Sequence, residues 1–340
     1  MRLRASLLAL LASSVATVTL GAATGSQAAG GACGTATQTT VVGAYEAMAR
    51  TIYQGERAGQ EVSQDTGHVL ASRALAAALA AGNSAAVLAA THALVYHRHW
   101  HIVRLRVLSR SGAVLADVGG PYVLAPVPGQ ISYRGKTVGA FLMSVQDDAG
   151  YAKLVQRFGG LPIEIYAAGK PVEGQQFPPS GAPALLPADG SPLSIGGVQY
   201  VAATYALKGF PNTVDRVLLA VPRVTAALEA SSCLQVAAAT YKVIAIHLAH
   251  HVPLPSNAGV FVGVDRAFDP AARIFVVSRS RLLASTDRTS AAPVLPLAGA
   301  ATYLGQQWLV ESFAPVSGVR VYLLYPAGQP VGATGPSGAS

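Results

Sequence analysis

The chain is poor in charge: Asp, Glu, Lys and Arg make up 12% of its 340 residues, against 51% hydrophobic residues. Such a composition excludes a solvated, disordered chain, except at the ends. Basic residues outnumber acidic ones by 24 to 16, for a net charge of +8. They are scattered, mostly arginine, and never form a cluster of five, so the footprint of a nucleic-acid binder is missing. Signatures of catalysis are missing as well. There is no G-x-S-x-G elbow, no P-loop and no dinucleotide fingerprint, and neither of the two cysteines sits beside a candidate base. No enzyme is expected, and no cofactor is implied. Past the first 28 residues no run reaches about 18 uninterrupted apolar residues, so no later segment reads as a membrane span.

What is present at the N-terminus points to export. Arg2 and Arg4 precede an apolar, small-residue run from Leu7 to Ala23, and Ser26-Gln27-Ala28 offers a small-residue cleavage site. Residues 1–28 are therefore read as a signal peptide, with an uncleaved anchor as the rival reading; location is extracytoplasmic, secreted or held at the cell surface. Cys33 and Cys233 make an even pair, which in an exported chain fits a disulfide. Closing so long a loop could add about 5 kcal/mol in the chain-entropy model. Lipidation of Cys33 competes weakly, because Gly30-Gly31-Ala32 lacks the large aliphatic residue of a lipobox. Free thiols are the third reading.

The stretch from Trp100 to Phe158 reads as strand, turn, strand, long loop, long strand and a helix opened by Asp147-Asp148. That order suits a small antiparallel sheet roofed by the loop and the helix. Ahead of it, helical spacing of Val41, Val42, Tyr45, Met48, Ala49 and Ile52 predicts a helix over 40–57. A second helix is expected over 65–81, and Asn83-Ser84 reads as the cap of a third over 85–95.

The later chain repeats itself. Leu186-Pro187-x-x-Gly190 returns as Leu295-Pro296-x-x-Gly299. The run from Gly197 through Tyr200 to Ala206 returns from Gly305 through Trp308 to Ala314. Arg216-Val217-x-Leu219-x-x-Pro222 returns as Arg320-Val321-x-Leu323-x-x-Pro326. Ile163–Tyr166 and Ile274–Val277 are both strand-like at a similar offset. We read a duplicated half-sheet. The helical runs starting at Tyr45 and Tyr241 follow Cys33 and Cys233 at similar distances, so the duplication can extend to a helix that a bridge would pin.

The residues Trp100–Val107, Leu115–Pro121 and Met143–Tyr151 together resemble the Cache family of PAS-like extracytoplasmic sensor domains, in the secreted branch of high-GC Gram-positive bacteria. The resemblance covers residues 40–222, with the second half a partial copy. It implies an α+β fold and a pocket between sheet and cap for a small carboxylate or amino acid. No kinase, methyl-accepting or cyclase module is read in the residues after it, so binding is expected rather than signalling.

The expected organisation is a Cache-like domain with N-terminal helices over 33–222, a smaller related α+β unit over 223–326 and a disordered Gly/Pro/Ser tail over 327–340. Candidate ligand-binding residues are His101, Arg104, Arg106, Tyr122, Tyr133, Ser144 and Gln146. The two arginines suit a bidentate grip on a carboxylate, with solvated strand residues as the plain alternative. His97, His99 and His101 would share one face of a strand, but alternate strand positions lie about 7 Å apart and rarely converge on one ion. His247, His250 and His251 are spaced for one helix face, yet fit a helix end equally well. No metal site is assigned. The expected function is an exported, non-catalytic binding module for a small, anionic molecule. A surface scaffold with a protein partner, or a His-cluster metal binder, are the alternatives.

Overall fold

The computed structural model describes residues 32–172, 177, 183–224, 226–229, 231–266 and 272–327. The expected signal peptide and all but the first residue of the expected tail lie outside them.

Helix α1 (Thr37–Ala58) follows a 3-10 turn and buries Val41, Tyr45, Met48, Ala49, Ile52 and Tyr53 on one stripe. The helix expected over 65–81 is two helices, α2 (Gln60–Ala71) and α3 (Arg73–Ala80). Ser72 breaks it: its backbone is extended, and its hydroxyl caps α3 by accepting from the Leu75 N–H. That local bond competes with continued helix, as serine often does. Helix α4 (Ser84–Val95) is capped by the Asn83 side chain, which accepts from the Ala86 N–H.

The strands β1 (Arg104–Ser109), β2 (Val114–Gly119), β3 (Val123–Leu124), β4 (Val127–Tyr133), β5 (Lys136–Ser144) and β6 (Gln146–Asp147) follow. Four of them form an antiparallel sheet ordered β2-β1-β5-β4, while β3 and β6 pair separately. The roof of this sheet differs from expectation. Leu105, Val107, Ile131, Phe141 and Met143 pack against Val69, Leu75, Leu79, Val87 and Leu94 of α2 to α4. The helix opened by the two aspartates, α5 (Asp148–Gly159), instead sends Tyr151, Ala152 and Val155 into a different core.

After α5 come β7 (Ile163–Ala167), β8 (Lys170–Pro171), β9 (Pro192–Ile195), β10 (Val198–Lys208) and β11 (Val214–Pro222), ordered β8-β7-β11-β10-β9. A short helix α6 (Ala226–Glu229) leads to α7 (Cys233–Ala249), which opens on a capping box between Ser232 and Gln235, and then α8 (Ala258–Arg266). The strands β12 (Arg273–Ser278), β13 (Arg281–Ser285), β14 (Gly299–Tyr303), β15 (Gln306–Val316) and β16 (Val319–Pro326) close the described chain in the order β13-β12-β16-β15-β14.

The two five-stranded sheets have the same order and, up to a bulge near the β15–β16 turn, the same register. Tyr200 lies opposite Pro222 as Trp308 lies opposite Pro326, and Leu219 opposite Ile163 as Leu323 opposite Ile274. The repeat therefore runs long helix, short helix, sheet: α1, α5 and β7 to β11 in the first copy, α7, α8 and β12 to β16 in the second. Residues 60–147 are an insertion between the long and short helices of the first copy. Within the insertion the strand order matches that of the other sheets, less one edge strand. Helices α1, α5, α7 and α8 and the inner faces of both five-stranded sheets share one continuous apolar core. A Cys33–Cys233 disulfide joins the starts of α1 and α7, with 4.7 Å between the Cα atoms. The protein is thus α+β, with antiparallel sheets and N-terminal helices.

Candidate functional site

The insertion meets the first copy at one joint. The turn between β10 and β11 lies on the small β3–β6 pair through a bridge between Leu124 and Gly209. The Phe210 N–H donates to the Val123 carbonyl (2.9 Å), and the Ala125 N–H to the Lys208 carbonyl (3.3 Å). From α1, the Tyr53 hydroxyl donates to that same Lys208 carbonyl (2.9 Å). Gly209 is dictated by space, since a Cβ there would stand 2.0 Å from Asp215 Oδ2.

Several sequence candidates gather at this joint, and the polar side chains of Arg104, Arg106 and Ser144 are engaged inside the protein. Arg104 grips Asp117 in two bonds, Nε to Oδ1 (2.9 Å) and Nη2 to Oδ2 (3.0 Å), and its Nη1 donates to the Gly120 carbonyl. Arg106 also holds Asp117, which sits directly across the hairpin from it. Both guanidinium groups stack over the Phe210 ring, at 4.8 and 5.5 Å from its centroid. Burial alone would raise the Asp117 pKa, but the two arginines hold it below the usual carboxylate range. The carboxylate that this pair grips is therefore one of the protein's own. Ser144 is buried, its hydroxyl donating to the Leu124 carbonyl and accepting from the Gln146 N–H. Tyr122 is exposed, and its carbonyl accepts from the Asp148 N–H (3.2 Å).

Two candidates lie elsewhere. Tyr133 stands opposite Lys136 at the far end of β5, about 27 Å along the strand from Ser144, under the Arg134 guanidinium. His101 is exposed, and its backbone N–H donates to Asp65 Oδ2 (2.9 Å). The histidines before β1 do not form a strand face, because β1 begins only at Arg104. Trp100 is instead stacked between His68 and His97, at 4.3 and 3.9 Å. At the other cluster α7 ends at Ala249, so His250 and His251 lie past its last turn. His247 meets the Arg157 carbonyl through Nδ1 (2.8 Å), and its ring is 5.3 Å from that of His251. Burial, first of all, lowers the pKa of both His247 and His251. Among the described residues no group of three or more His, Cys, Asp or Glu is arranged to hold a metal.

Beside the joint is a groove of about 780 Å³ between the end of α1, the start of α2 and one face of α5. Gln146 is the sequence candidate that lines it. The α1–α2 wall carries Glu56 and Glu61, and the α5 wall carries Lys153 and Arg157. Burial, followed by repulsion from Glu61, raises the Glu56 pKa. Gly150 floors the groove, where a Cβ would stand 2.2 Å from the Gln146 side-chain amide. This arrangement offers cations and anions to one small polar ligand, with amides between them. Sequence reasoning missed these four charged residues, because their spacing along the chain follows ordinary helix surfaces.

Under the joint lie two buried acids. Asp148 is 1% exposed, and neither carboxylate oxygen has a hydrogen-bond partner. Its pKa is pushed up to about 7 by burial, then by Asp215 and Asp147. Asp215, 5% exposed, is raised to about 6 by burial, against a lowering hydrogen bond from Thr213. From sequence the aspartate pair marks a helix start, and Asp147 does cap α5 by accepting from the Gly150 N–H. The burial of Asp148 arises from what packs over that cap.

No protein-family model matches this chain, and no curated protein does. Among solved structures it is similar to the ligand-binding domain of the Pseudomonas fluorescens chemoreceptor CtaA, in complex with L-alanine. The identity is 13% over 53% of this chain and 95% of that one, with a TM-score of 0.28. It is also similar to an extracellular ligand-binding receptor from Desulfohalobium retbaense, at 12% identity and a TM-score of 0.17. That comparison covers 78% of this chain and 39% of the receptor.

Proposed function

We propose that this protein is an extracytoplasmic, non-catalytic binding module of the PAS-like Cache type, which takes a small carboxylate or amino acid in the groove beside α5. The groove carries the reading: one cleft of about 780 Å³ brings Lys153 and Arg157 opposite Glu56 and Glu61, with the Gln146 amide at its floor. In this reading the two cations hold the ligand's carboxylate and the acidic wall receives an ammonium group where there is one. The strand order shared by the two five-stranded sheets and, less one edge strand, by the four-stranded inserted sheet supports the PAS-like assignment. The disulfide supports residence in an oxidising compartment. Arg104 and Arg106 enter as positioning residues, since their grip on Asp117 ties β1 to β2 beside β5, the strand that leads into Gln146.

A thermal-shift and calorimetric screen of organic acids, amino acids and divalent metals tests the proposal. A ligand at a hundredfold excess over its Kd stabilises by about 2.7 kcal/mol. Replacing Lys153 by alanine should weaken the shift while the free protein keeps its melting point; replacing Arg157 as well should abolish the shift and also remove the arginine's bond to the His251 carbonyl. Silence across the panel would overturn the reading in favour of a surface scaffold, and a response to metals alone would favour a metal binder.

A further inference from the structure

We propose that Asp148 and Asp215 form a proton-operated lock, which holds the β10–β11 turn against the insertion in mild acid and loosens it as pH rises to neutrality. The geometry comes first. Asp148 opens α5 directly beneath the β3–β6 pair, and Asp215 stands at the start of β11, packed against Gly209, which makes the bridge to Leu124. Both side chains are at least nine-tenths buried, and both oxygens of Asp148 lack a partner. Two ionised carboxylates in such a place would repel each other without compensation. One proton removes the repulsion and turns an orphaned acceptor into a donor.

The surrounding charges leave the pair to protons. On α1, Arg57 acts on Tyr53, whose hydroxyl is already given to the Lys208 carbonyl. On the inserted sheet, Arg104 and Arg106 are bound to Asp117. On α5, Asp147 is tied to the Gly150 N–H and adds a further like charge, while Lys153 faces the groove. On α7, His247 sits against Arg157, about 14 Å along α5 from Asp148. Among the described residues no cation lies within ion-pair distance of either acid. The raised values, about 7 and about 6, agree with the geometry. Because both folded values lie above the ordinary one, the folded joint binds more protons than the open one. Its stability is greatest in acid and declines as pH rises through that window.

Hydrogen exchange at the Phe210 and Ala125 amides, both bonded across the joint, reads the lock directly. After correction for intrinsic exchange, their opening constant should rise by up to about a hundredfold per pH unit near pH 5, where opening releases two protons, and by up to about tenfold between about pH 6 and 7, where it releases one. Amides of β15 and β16 should show no such slope. In Asp148→Asn, a neutral isostere, the joint amides should be slower at neutral pH and keep only the one-proton slope of Asp215, ending near about pH 6; Asp215→Asn should keep only the slope of Asp148. A pH-flat opening constant in the unsubstituted protein would overturn the proposal even if neither variant folds. So would an undiminished slope in Asp148→Asn, or slowing by millimolar calcium at pH 7.5, which would make the neutralising group a metal ion. The test needs no ligand, so it stands apart from the groove reading.

Discussion

The two copies of the duplicated unit share strand order, register and a common core, but differ in what fills the link between their long and short helices. In the first copy that link is the whole inserted sheet with its helices; in the second, α7 reaches α8 through a short turn. Polar chemistry follows the insertion. Where the first copy has Asp215, the matching position of the second is Val319, fully inside the core. The helix that opens with Asp148 in the first copy opens with Ala258-Gly259 in the second. The buried Tyr205, which shares a hydrogen bond of 3.0 Å with Tyr151, corresponds to Phe313. An apolar joint suffices for the core, so the acids, the hydroxyl pair and the groove are features of the place where the insertion docks.

That comparison can be broken or sharpened by experiment. The largest effect is expected from removing the bridge that pins the copies together. Cys33→Ser with Cys233→Ser should cost up to about 5 kcal/mol, read as a lower thermal midpoint for the whole protein. Next, Phe141→Ala empties the core of the insertion alone and should cost about 3–5 kcal/mol. Exchange should then accelerate in β1, β4 and β5, leaving β12 to β16 protected; equal acceleration everywhere would show that the insertion and the repeats unfold as one. Asp215→Val gives the first copy the residue of the second. It should stabilise the protein at pH 8 by about 2 kcal/mol and less at pH 5, as followed by denaturant melts at both values. The smallest effect belongs to Arg104→Ala, about 1–2 kcal/mol, because Arg106 still holds Asp117. A loss in Asp117→Ala no larger than in Arg104→Ala would show that the clamp contributes little to the joint.

Much of the fold was legible in the chain. The matched turns and strands from Leu186 and Leu295 onward carried the duplication, because a repeated register needs the same turn residues and alternation. Asn83 and Asp147 announced their helices, since capping is settled within a few residues. The break at Ser72 was hidden in an alanine-rich run where a helix costs little to continue. The roof over β1 to β5 was assigned to the wrong helix, because an apolar stripe such as Tyr151 and Val155 says that it is buried and not against what. Of the expected ligand-binding residues, Gln146 lines the groove, whereas Arg104 and Arg106, expected to grip a ligand's carboxylate, grip Asp117 of the protein itself. Their carboxylate, Asp117, was also visible in the sequence, one hairpin away, but only pairing puts it opposite Arg106.

The sequence by itself determined the low-charge α+β character, the repeat, the helix caps and the even cysteine pair, all of which depend on composition or on neighbours a few residues apart. The tertiary structure alone decided that the unrepeated segment is an insertion, that Cys33 meets Cys233, and that Glu56, Glu61, Lys153 and Arg157 share one groove. It also decided the fate of Asp148, whose chain neighbours describe an ordinary helix start. Its burial depends on Asp215 and on the β10–β11 turn lying across it, and a carboxylate's charge state is set by the water that its distant neighbours exclude.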